Sequence, residues 1–91
     1  MEVLRTVVLS KLARKQLARL PAHIADALLT WVDDVEQRGL EEVRKVPGHH
    51  DEPLKGARRG ERSIRLNRGW RAIYVLQKDQ ILVKEVTHHD Y

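Results

Sequence analysis

The stretch Glu52–Tyr74, EPLKGARRGERSIRLNRGWRAIY, shows how the chain is organised. It contains seven of the chain's seventeen lysines and arginines, and only Glu52 and Glu61 oppose them. Apolar and polar residues begin to alternate at Glu61, which is typical of a β-strand with one buried face. Several of these cations should therefore lie together on one face of a sheet, as in a surface that binds a polyanion.

The residues after Gly60 predict three strands separated by turn residues at 67–69 and 78–80. In the first strand Ile64 and Leu66 lie on one face, and Ser63, Arg65 and Asn67 lie on the other. Strands joined by turns this short pair as neighbours, so the pattern predicts an antiparallel meander. The predicted strands are Glu61–Asn67, Trp70–Gln77 and Ile81–Thr87.

The first half of the chain predicts a strand and two helices. Aliphatic and β-branched residues in Val3–Leu9 favour a strand, and the Ser10 hydroxyl can cap a helix that begins at Lys11. Pro21 should interrupt that helix and start the next one, which Gly39 can end in a left-handed conformation. Apolar residues at helical spacing define the two buried stripes: Leu12, Ala13, Gln16, Leu17 and Leu20 in the first helix, and Ile24, Ala27, Leu28, Trp31, Val32 and Val35 in the second. Leu40–Val46 predicts one or two further helical turns, and residues 49–60 predict a loop.

Together these elements predict a single α+β domain over residues 1–91. An N-terminal strand is followed by a helical hairpin and then by the three-stranded antiparallel meander. The helices should cover one face of the sheet and leave the other face free. Arg65 and Arg71 would emerge on the free face.

Composition narrows the possible functions. The chain has no cysteine, no run of about 20 apolar residues that would span a membrane, and no secretory signal pattern at Met1–Arg5. We therefore expect a soluble cytoplasmic protein without disulfides or a membrane partner. The net charge of +4 favours an anionic partner, although charge alone also fits an ordinary small basic domain.

Motifs for metal, nucleotide or serine-hydrolase chemistry are missing from the sequence. The pairs His49-His50 and His88-His89 invite a metal interpretation, but adjacent residues on a strand point to opposite faces, so each pair offers about one ligand. No HExxH motif, glycine-rich phosphate loop or G-x-S-x-G motif is present. We therefore predict neither a metal site nor a cofactor.

The residues do suggest metal-free chemistry on a phosphate. If the first two meander strands pair, the guanidinium groups of Arg65 and Arg71 can converge on one phosphate. The terminal His88-His89-Asp90-Tyr91 brings acid–base groups to the end of the last strand. The same residues also have an interpretation without function, in which the arginines are solvated on the surface and the chain terminus is frayed. Arg58, Arg59 and Arg62 fit a general electrostatic footprint for RNA, and Arg68, in the turn, is assigned to the same role.

Taken together, these features of the chain resemble the RelE/ParE toxin superfamily. The resemblance rests on the element order, on Pro53-Leu54-Lys55-Gly56 with the basic stretch after it, on Trp70-Arg71, and on the terminal His-Asp-Tyr. Within the superfamily the chain is most similar to the HigB branch of type II toxin–antitoxin systems.

The resemblance implies a small RelE-like domain that acts as a ribosome-dependent mRNA endoribonuclease and inhibits translation. It implies as partners the ribosome, mRNA and a cognate antitoxin (HigA-like or RelB-like), with operator DNA contacted only through the antitoxin complex. By position, Lys55 and Arg71 match the family's phosphate-contacting residues, and His89, Asp90 and Tyr91 match its terminal catalytic residues. Arg65 lies in a strand where such toxins often carry another arginine.

The sequence departs from the HigB pattern at Glu52, and two alternative functions remain open. Glu52 stands where some HigB proteins carry a histidine, so the identity of the general base stays open. A ParE-type toxin shares the fold but poisons DNA gyrase by binding. A non-catalytic basic RNA-binding module is the third interpretation.

Overall fold

The structure, a computed structural model, describes residues 3–88. Its helices are α1 (Lys11–Leu17), α2 (Ala22–Arg38) and α3 (Leu40–Val43). Its strands are β1 (Val7–Leu9), β2 (Glu52–Pro53), β3 (Glu61–Asn67), β4 (Trp70–Leu76) and β5 (Ile81–His88). The strands form one mixed sheet in the order β1-β5-β4-β3-β2, in which β1 pairs parallel to β5. The predicted α+β fold is confirmed.

The predicted meander forms the centre of this sheet. Strands β3, β4 and β5 pair antiparallel, with Ile64 opposite Ala72 and Ala72 opposite Val86. These residues are buried on the helix-covered face, where they pack in one apolar cluster with Trp31 of α2. The other face of the meander carries Arg71 and the residues beside it, as the alternation predicts.

Helix α1 is fastened to β5 through side-chain hydrogen bonds. The predicted cap is confirmed, because Ser10 Oγ accepts from Ala13 N at 2.9 Å. Gln16 lies in the predicted apolar stripe but binds both backbone groups of Val86, donating to its carbonyl at 2.9 Å and accepting from its N–H at 2.7 Å. Since β1 ends at Leu9, those backbone groups have no strand partner, and Gln16 satisfies them. Leu12, predicted in the same stripe, is exposed instead.

Helix α2 supplies most of the helical side of the core. Ile24, Leu28, Trp31 and Val35 are buried at the predicted three- and four-residue spacing. Gly39 ends the helix with φ 88°, and the chain continues directly into α3. None of the helices in residues 3–88 combines the length and apolar character needed to cross a lipid bilayer.

The face of the sheet opposite the helices is only partly free, which corrects the prediction. The chain predicted as a plain loop at residues 49–60 contains β2 and a short 3₁₀ helix at Gly56–Arg58. Leu54 N donates to Glu61 O at 2.8 Å, so the chain turns back along β3. Residues 51–60 are called the covering segment from here on. Ser63 and Ile73, which point to this face, are 2% and 4% exposed because the segment covers them.

A β-bulge in β5 shapes the same face. Ile73 pairs with Glu85 and Tyr74 pairs with Val83, which leaves Lys84 as an extra residue. A bulge re-aims side chains relative to the strand's alternation. Lys84 and Glu85 therefore both reach partners on the face opposite the helices. Lys84 pairs with Glu61 at the start of β3, and Glu85 pairs with Arg58 in the segment that covers this face.

Candidate functional site

A cavity of about 230 Å³ lies on the face opposite the helices, between the covering segment and the end of the meander. Apolar side chains form part of its wall, and two basic groups, two hydroxyls and one carboxylate supply the polar groups. The lining residues are Glu52, Leu54, Arg58, Ser63, Arg71, Ile73 and Thr87. The mixture of apolar wall and few polar groups is typical of a small-ligand or single-group binding site.

Arg71 is the cation of this cavity that no carboxylate neutralises within residues 3–88. Its position on β4 pairs with Arg65 on β3 and with Thr87 on β5, so Arg71 lies in the middle of the meander. It is half-buried and forms no ion pair or side-chain hydrogen bond with the described residues. A guanidinium held this way on a rigid strand is well suited to bind a phosphate.

Arg58, by contrast, is fully engaged by carboxylates. Its Nε donates to Glu61 at 2.5 Å and its Nη2 donates to Glu85 at 3.1 Å. The bond to Glu61, followed by the bond to Glu85, raises the pKa of Arg58. Lys84 also pairs with Glu61, and this bond is the main reason why the pKa of Glu61 is lowered. The network fastens the covering segment to β5.

The other residues predicted to bind phosphate or RNA lie in different places. Lys55 follows Leu54 on the covering segment and is exposed, as are Arg59 and Arg68. The strands of Arg65 and Arg71 do pair, but Arg65 lines a second cavity, against Trp31 and Asp34 of α2. Arg65 and Arg71 therefore do not share one cavity, although they are neighbours across two strands.

Arg62 lies on the helix side of the sheet, away from the cavity of Arg71. Its Nε donates to Asp51 Oδ1 at 2.6 Å, and the hydroxyl of Tyr74 donates to the other oxygen of the same carboxylate. Burial opposes the charge of Arg62, but Asp51 outweighs it and raises the pKa of the guanidinium. Arg62 thus serves as an internal ion-pair partner and is not a free cation of the predicted RNA footprint.

The predicted acid–base residues at the end of the chain lie partly outside the structure. His89, Asp90 and Tyr91 fall outside the described residues. His88 is the last described residue and pairs with Trp70 at the end of the meander. The two rings stack with centroids 4.3 Å apart and an interplanar angle of 14°. His88 directly follows Thr87, which lines the cavity that holds Arg71.

Three polar lining residues, Glu52, Ser63 and Thr87, were not predicted as site residues. Ser63 shares a face with Arg65 in the alternation, and Thr87 precedes the terminal histidines, so both carried a detectable positional signal. Glu52 was noted only as a departure from the HigB pattern. Its position at the cavity depends on the pairing of β2 with β3, which the sequence does not reveal. Within the described range, no three His, Asp or Glu side chains form a group that could hold a metal ion.

The family is decided by sequence comparison over nearly the whole chain. Residues 7–90 match the model of the ParE toxin of type II toxin–antitoxin systems, parDE. The chain belongs to this family. It is therefore a member of the RelE/ParE toxin superfamily, as predicted, while its assignment to the HigB branch stays a prediction. A search of curated protein sequences found no significant match.

Solved structures of toxins share the fold of this ParE-family protein. A chain of the RelBE2 toxin–antitoxin complex from Mycobacterium tuberculosis is 23% identical, with a TM-score of 0.69 over 96% of this chain and 100% of that chain. YafQ from E. coli is 19% identical, with a TM-score of 0.73 over 92% of each chain. The YoeB/ParE toxin from Agrobacterium tumefaciens is 17% identical, with a TM-score of 0.69 over 93% of this chain and 99% of that chain. At these identities the likeness concerns the fold.

Proposed function

We propose that this toxin-family protein is a ribosome-dependent mRNA endoribonuclease that arrests translation. The observation that carries the proposal is Arg71, a half-buried guanidinium without a carboxylate partner in the described chain, at a cavity on the sheet face. Cleavage of RNA through its own 2′-hydroxyl requires mainly positioning and stabilisation of negative charge. An arginine on a rigid central strand supplies both.

In the proposed reaction the 2′-oxygen attacks the adjacent phosphorus and the bond to the 5′-oxygen breaks. A base takes the proton of the 2′-hydroxyl, and an acid gives a proton to the departing 5′-oxygen. The products are a 2′,3′-cyclic phosphate and a 5′-hydroxyl, so no metal, oxidant or cofactor is consumed. Arg71 stabilises the charge that develops on the phosphate, and Lys55 approaches the RNA from the rim. Arg65, which lines the second cavity, contacts the RNA outside the cavity of Arg71.

The proton carriers in this proposal are Glu52 and the terminal residues. Glu52 is the carboxylate that lines the cavity, on the opposite side from β5. His89, Asp90 and Tyr91 follow β5 in sequence, and histidine titrates near neutral pH without any perturbation. A free tyrosine has a pKa of about 10, so Tyr91 needs neighbouring cations to act as a base.

The proposal extends to partners and location. A cognate antitoxin, HigA-like or RelB-like, neutralises the toxin and carries it to operator DNA, and the toxin acts in the cytoplasm, where ribosomes translate. The RelBE2 toxin–antitoxin complex supports this part of the proposal, because one of its chains has the same fold. On the ribosome, exposed cations such as Arg59 and Arg68 contact ribosomal RNA, whereas Arg58 and Arg62 are neutralised by carboxylates within the protein.

The test is primer extension on a defined mRNA in a purified translation system, with and without ribosomes. The wild type should cut the mRNA only when ribosomes are present. Arg71→Ala should lower the cleavage rate by about 100-fold or more, because it removes a preorganised charge from the transition state. Arg38→Ala is the matched control, since Arg38 lies on α2 and pairs with Asp34; it should cut like the wild type.

The second candidate function is gyrase inhibition by binding. The observation that favours it is the ParE family model, which matches residues 7–90. Gyrase inhibition would leave mRNA intact while growth still stops, and the purified toxin would block supercoiling by gyrase in vitro. That pair of results overturns the ribonuclease proposal.

A further inference from the structure

The hydroxyl of Thr87 is a buried polar group that the fold itself does not use. Thr87 lies on β5 directly opposite Arg71 on β4, so the two side chains share one face of the sheet. Thr87 Oγ1 is shielded from solvent and has no hydrogen-bond partner among residues 3–88. Buried hydroxyls in folded proteins are nearly always hydrogen-bonded, so an unsatisfied one needs an explanation.

The surroundings of this hydroxyl point to an anionic ligand. Thr87 and Arg71 line the same cavity, and neither is used by another group of the described chain. Arg58, the other cation of the cavity, is already satisfied by two carboxylates. The apolar Leu54 and Ile73 form part of the wall, and a wall that excludes water strengthens bonds to a bound charge.

The carboxylate of Glu52 fixes where an anion can lie. Glu52 lines the cavity from β2, at one edge of the sheet, whereas Thr87 lies on β5 at the far side of Arg71. Like charges repel, so a phosphate will lie away from Glu52. The favoured position is therefore between the Arg71 guanidinium and the Thr87 hydroxyl.

We propose that Thr87 contacts the substrate: when its side chain rotates so that the hydroxyl faces the cavity, the hydroxyl donates a hydrogen bond to a non-bridging oxygen of the phosphate that Arg71 holds. This inference rests on the proposed ribonuclease function and adds a residue to its site. Arg71 supplies the charge, and Thr87 fixes which oxygen faces β5. The hydrogen bond strengthens as charge builds on that oxygen, so Thr87 acts mainly in the transition state.

The test compares Thr87→Val, Thr87→Ser and the wild type in the ribosome-dependent cleavage assay. Valine keeps the shape and removes the hydroxyl, and serine keeps the hydroxyl. At saturating toxin, Thr87→Val should cut about 10- to 100-fold more slowly, the range expected for a hydrogen bond to a charged group. The toxin concentration that gives half the maximal rate should not change, because docking on the ribosome uses other surfaces. Thr87→Ser should retain most of the activity.

Controls separate this role from a structural one. Thr6→Val makes the same change at an exposed threonine and should cut like the wild type. Thr87→Val should unfold at the same temperature as the wild type or higher, because it removes an unsatisfied buried hydroxyl. If the wild type cuts mRNA and Thr87→Val cuts equally fast, or if Thr87→Ser is as slow as Thr87→Val, the inference is wrong and the proposed function stands.

A binding measurement tests the inference when the wild type does not cut mRNA at all. Inorganic phosphate is titrated into the full chain, and NMR follows the side-chain Nε–H of Arg71 and the amide of Thr87. Saturable shifts in the wild type that are lost in Thr87→Val support the anion site even though the ribonuclease proposal has failed. No shift in the wild type, or equal shifts in both proteins, overturns it.

Discussion

At the scale of single residues, Asp51 is a buried carboxylate at the start of the segment that covers the sheet. Its carboxylate is 1% exposed and accepts hydrogen bonds from both Arg62 and Tyr74. A buried carboxylate is tolerated only when its oxygens are satisfied in this way. The triad therefore anchors the chain just before Glu52, which lines the cavity.

Tyr74 provides a pH-dependent measure of this triad. Burial, followed by the hydrogen bond to the negatively charged Asp51, raises the pKa of Tyr74 well above its ordinary value. Folding therefore favours the protonated phenol. The resulting stabilisation is complete below the unfolded-state pKa of about 10 and is lost as the pH rises towards the raised folded-state pKa. The free energy of unfolding should fall steadily with pH above 10.

The measurement is urea unfolding at a series of alkaline pH values, for wild type and Tyr74→Phe. Phenylalanine cannot ionise, so its curve should fall less steeply over the same pH interval. Ultraviolet absorbance of Tyr91→Phe, which leaves Tyr74 as the remaining tyrosine, should show no tyrosinate until the protein unfolds. A Tyr74 that ionises near pH 10 in the folded protein would show that the triad does not form.

Residue positions were predictable wherever alternation alone decides the face of a strand. The alternation that put Ile64 on the helix side also puts Arg62 there, so its absence from the RNA-facing surface was already implied by the sequence. Its partner was not predictable, because Asp51 is 11 residues away and reaches Arg62 only through the fold. The same limit applies to Glu52, which lies at the cavity of Arg71 because β2 pairs with β3.

At the scale of secondary-structure elements, Gly39 controls how the N-terminal segment joins the helices. It ends α2 with φ 88° and ψ 149°, a backbone conformation that is essentially restricted to glycine. A Cβ at this position would also overlap Cγ1 of Val3. The close approach lets Leu40 N donate to Leu4 O at 2.9 Å, which holds the segment before β1 against the start of α3.

Gly39→Ala should lower the free energy of unfolding by about 3 kcal/mol, part from the backbone conformation and part from the overlap. Urea unfolding of Gly39→Ala, Val3→Ala and the double variant separates the two causes. Because Val3→Ala removes the overlapping methyl group, the double variant should lose less than the sum of the single variants. Additive losses would mean that Val3 does not contact this site. Gly48→Ala is the control, since a Cβ there meets no atom.

Elements with strong local signals were predicted well, and elements fixed by long-range contacts were not. Strand β3 and the C-terminus of α2 agree with the prediction, because alternation, helical spacing and a glycine stop are local. Strand β2 has two residues and exists because it pairs with β3. The covering segment is held by Leu54, Arg58 and Glu85, which no local pattern connects. The sequence did carry one trace of the bulge, because the apolar residues Ile81, Val83 and Val86 break the two-residue period.

At the scale of the whole molecule, the exposed charges are distributed differently from the prediction. The predicted basic surface at residues 55–71 is weakened by carboxylates, because Arg58 and Arg62 are paired internally. Helix α1 instead carries three exposed cations and no acidic residue. These cations, Lys11, Arg14 and Lys15, form no ion pair with the described residues. The end of α2 and α3 carry an acidic surface, where Arg38, Arg44 and Lys45 are paired with carboxylates.

This distribution makes a prediction about ribosome binding under the proposed function. Free cations that contact phosphates release counterions, so each contact makes binding more sensitive to salt. Reversing Lys11, Arg14 and Lys15 to glutamate should weaken ribosome binding. It should also reduce the slope of log affinity against log salt by about 2 to 3. Co-sedimentation of the Arg71→Ala toxin with ribosomes over a series of salt concentrations measures both, without cleavage of the bound mRNA.

The matched control is the triple reversal of Arg38, Arg44 and Lys45, which changes the net charge by the same amount. These cations are already paired with carboxylates, so losing them should leave the salt slope nearly unchanged, although affinity falls slightly with net charge. Equal losses of slope in both variants would mean that the ribosome senses only the net charge of the toxin. A loss confined to the α1 variant would instead place helix α1 against ribosomal RNA, and the cavity of Arg71 would then face the mRNA from a fixed direction.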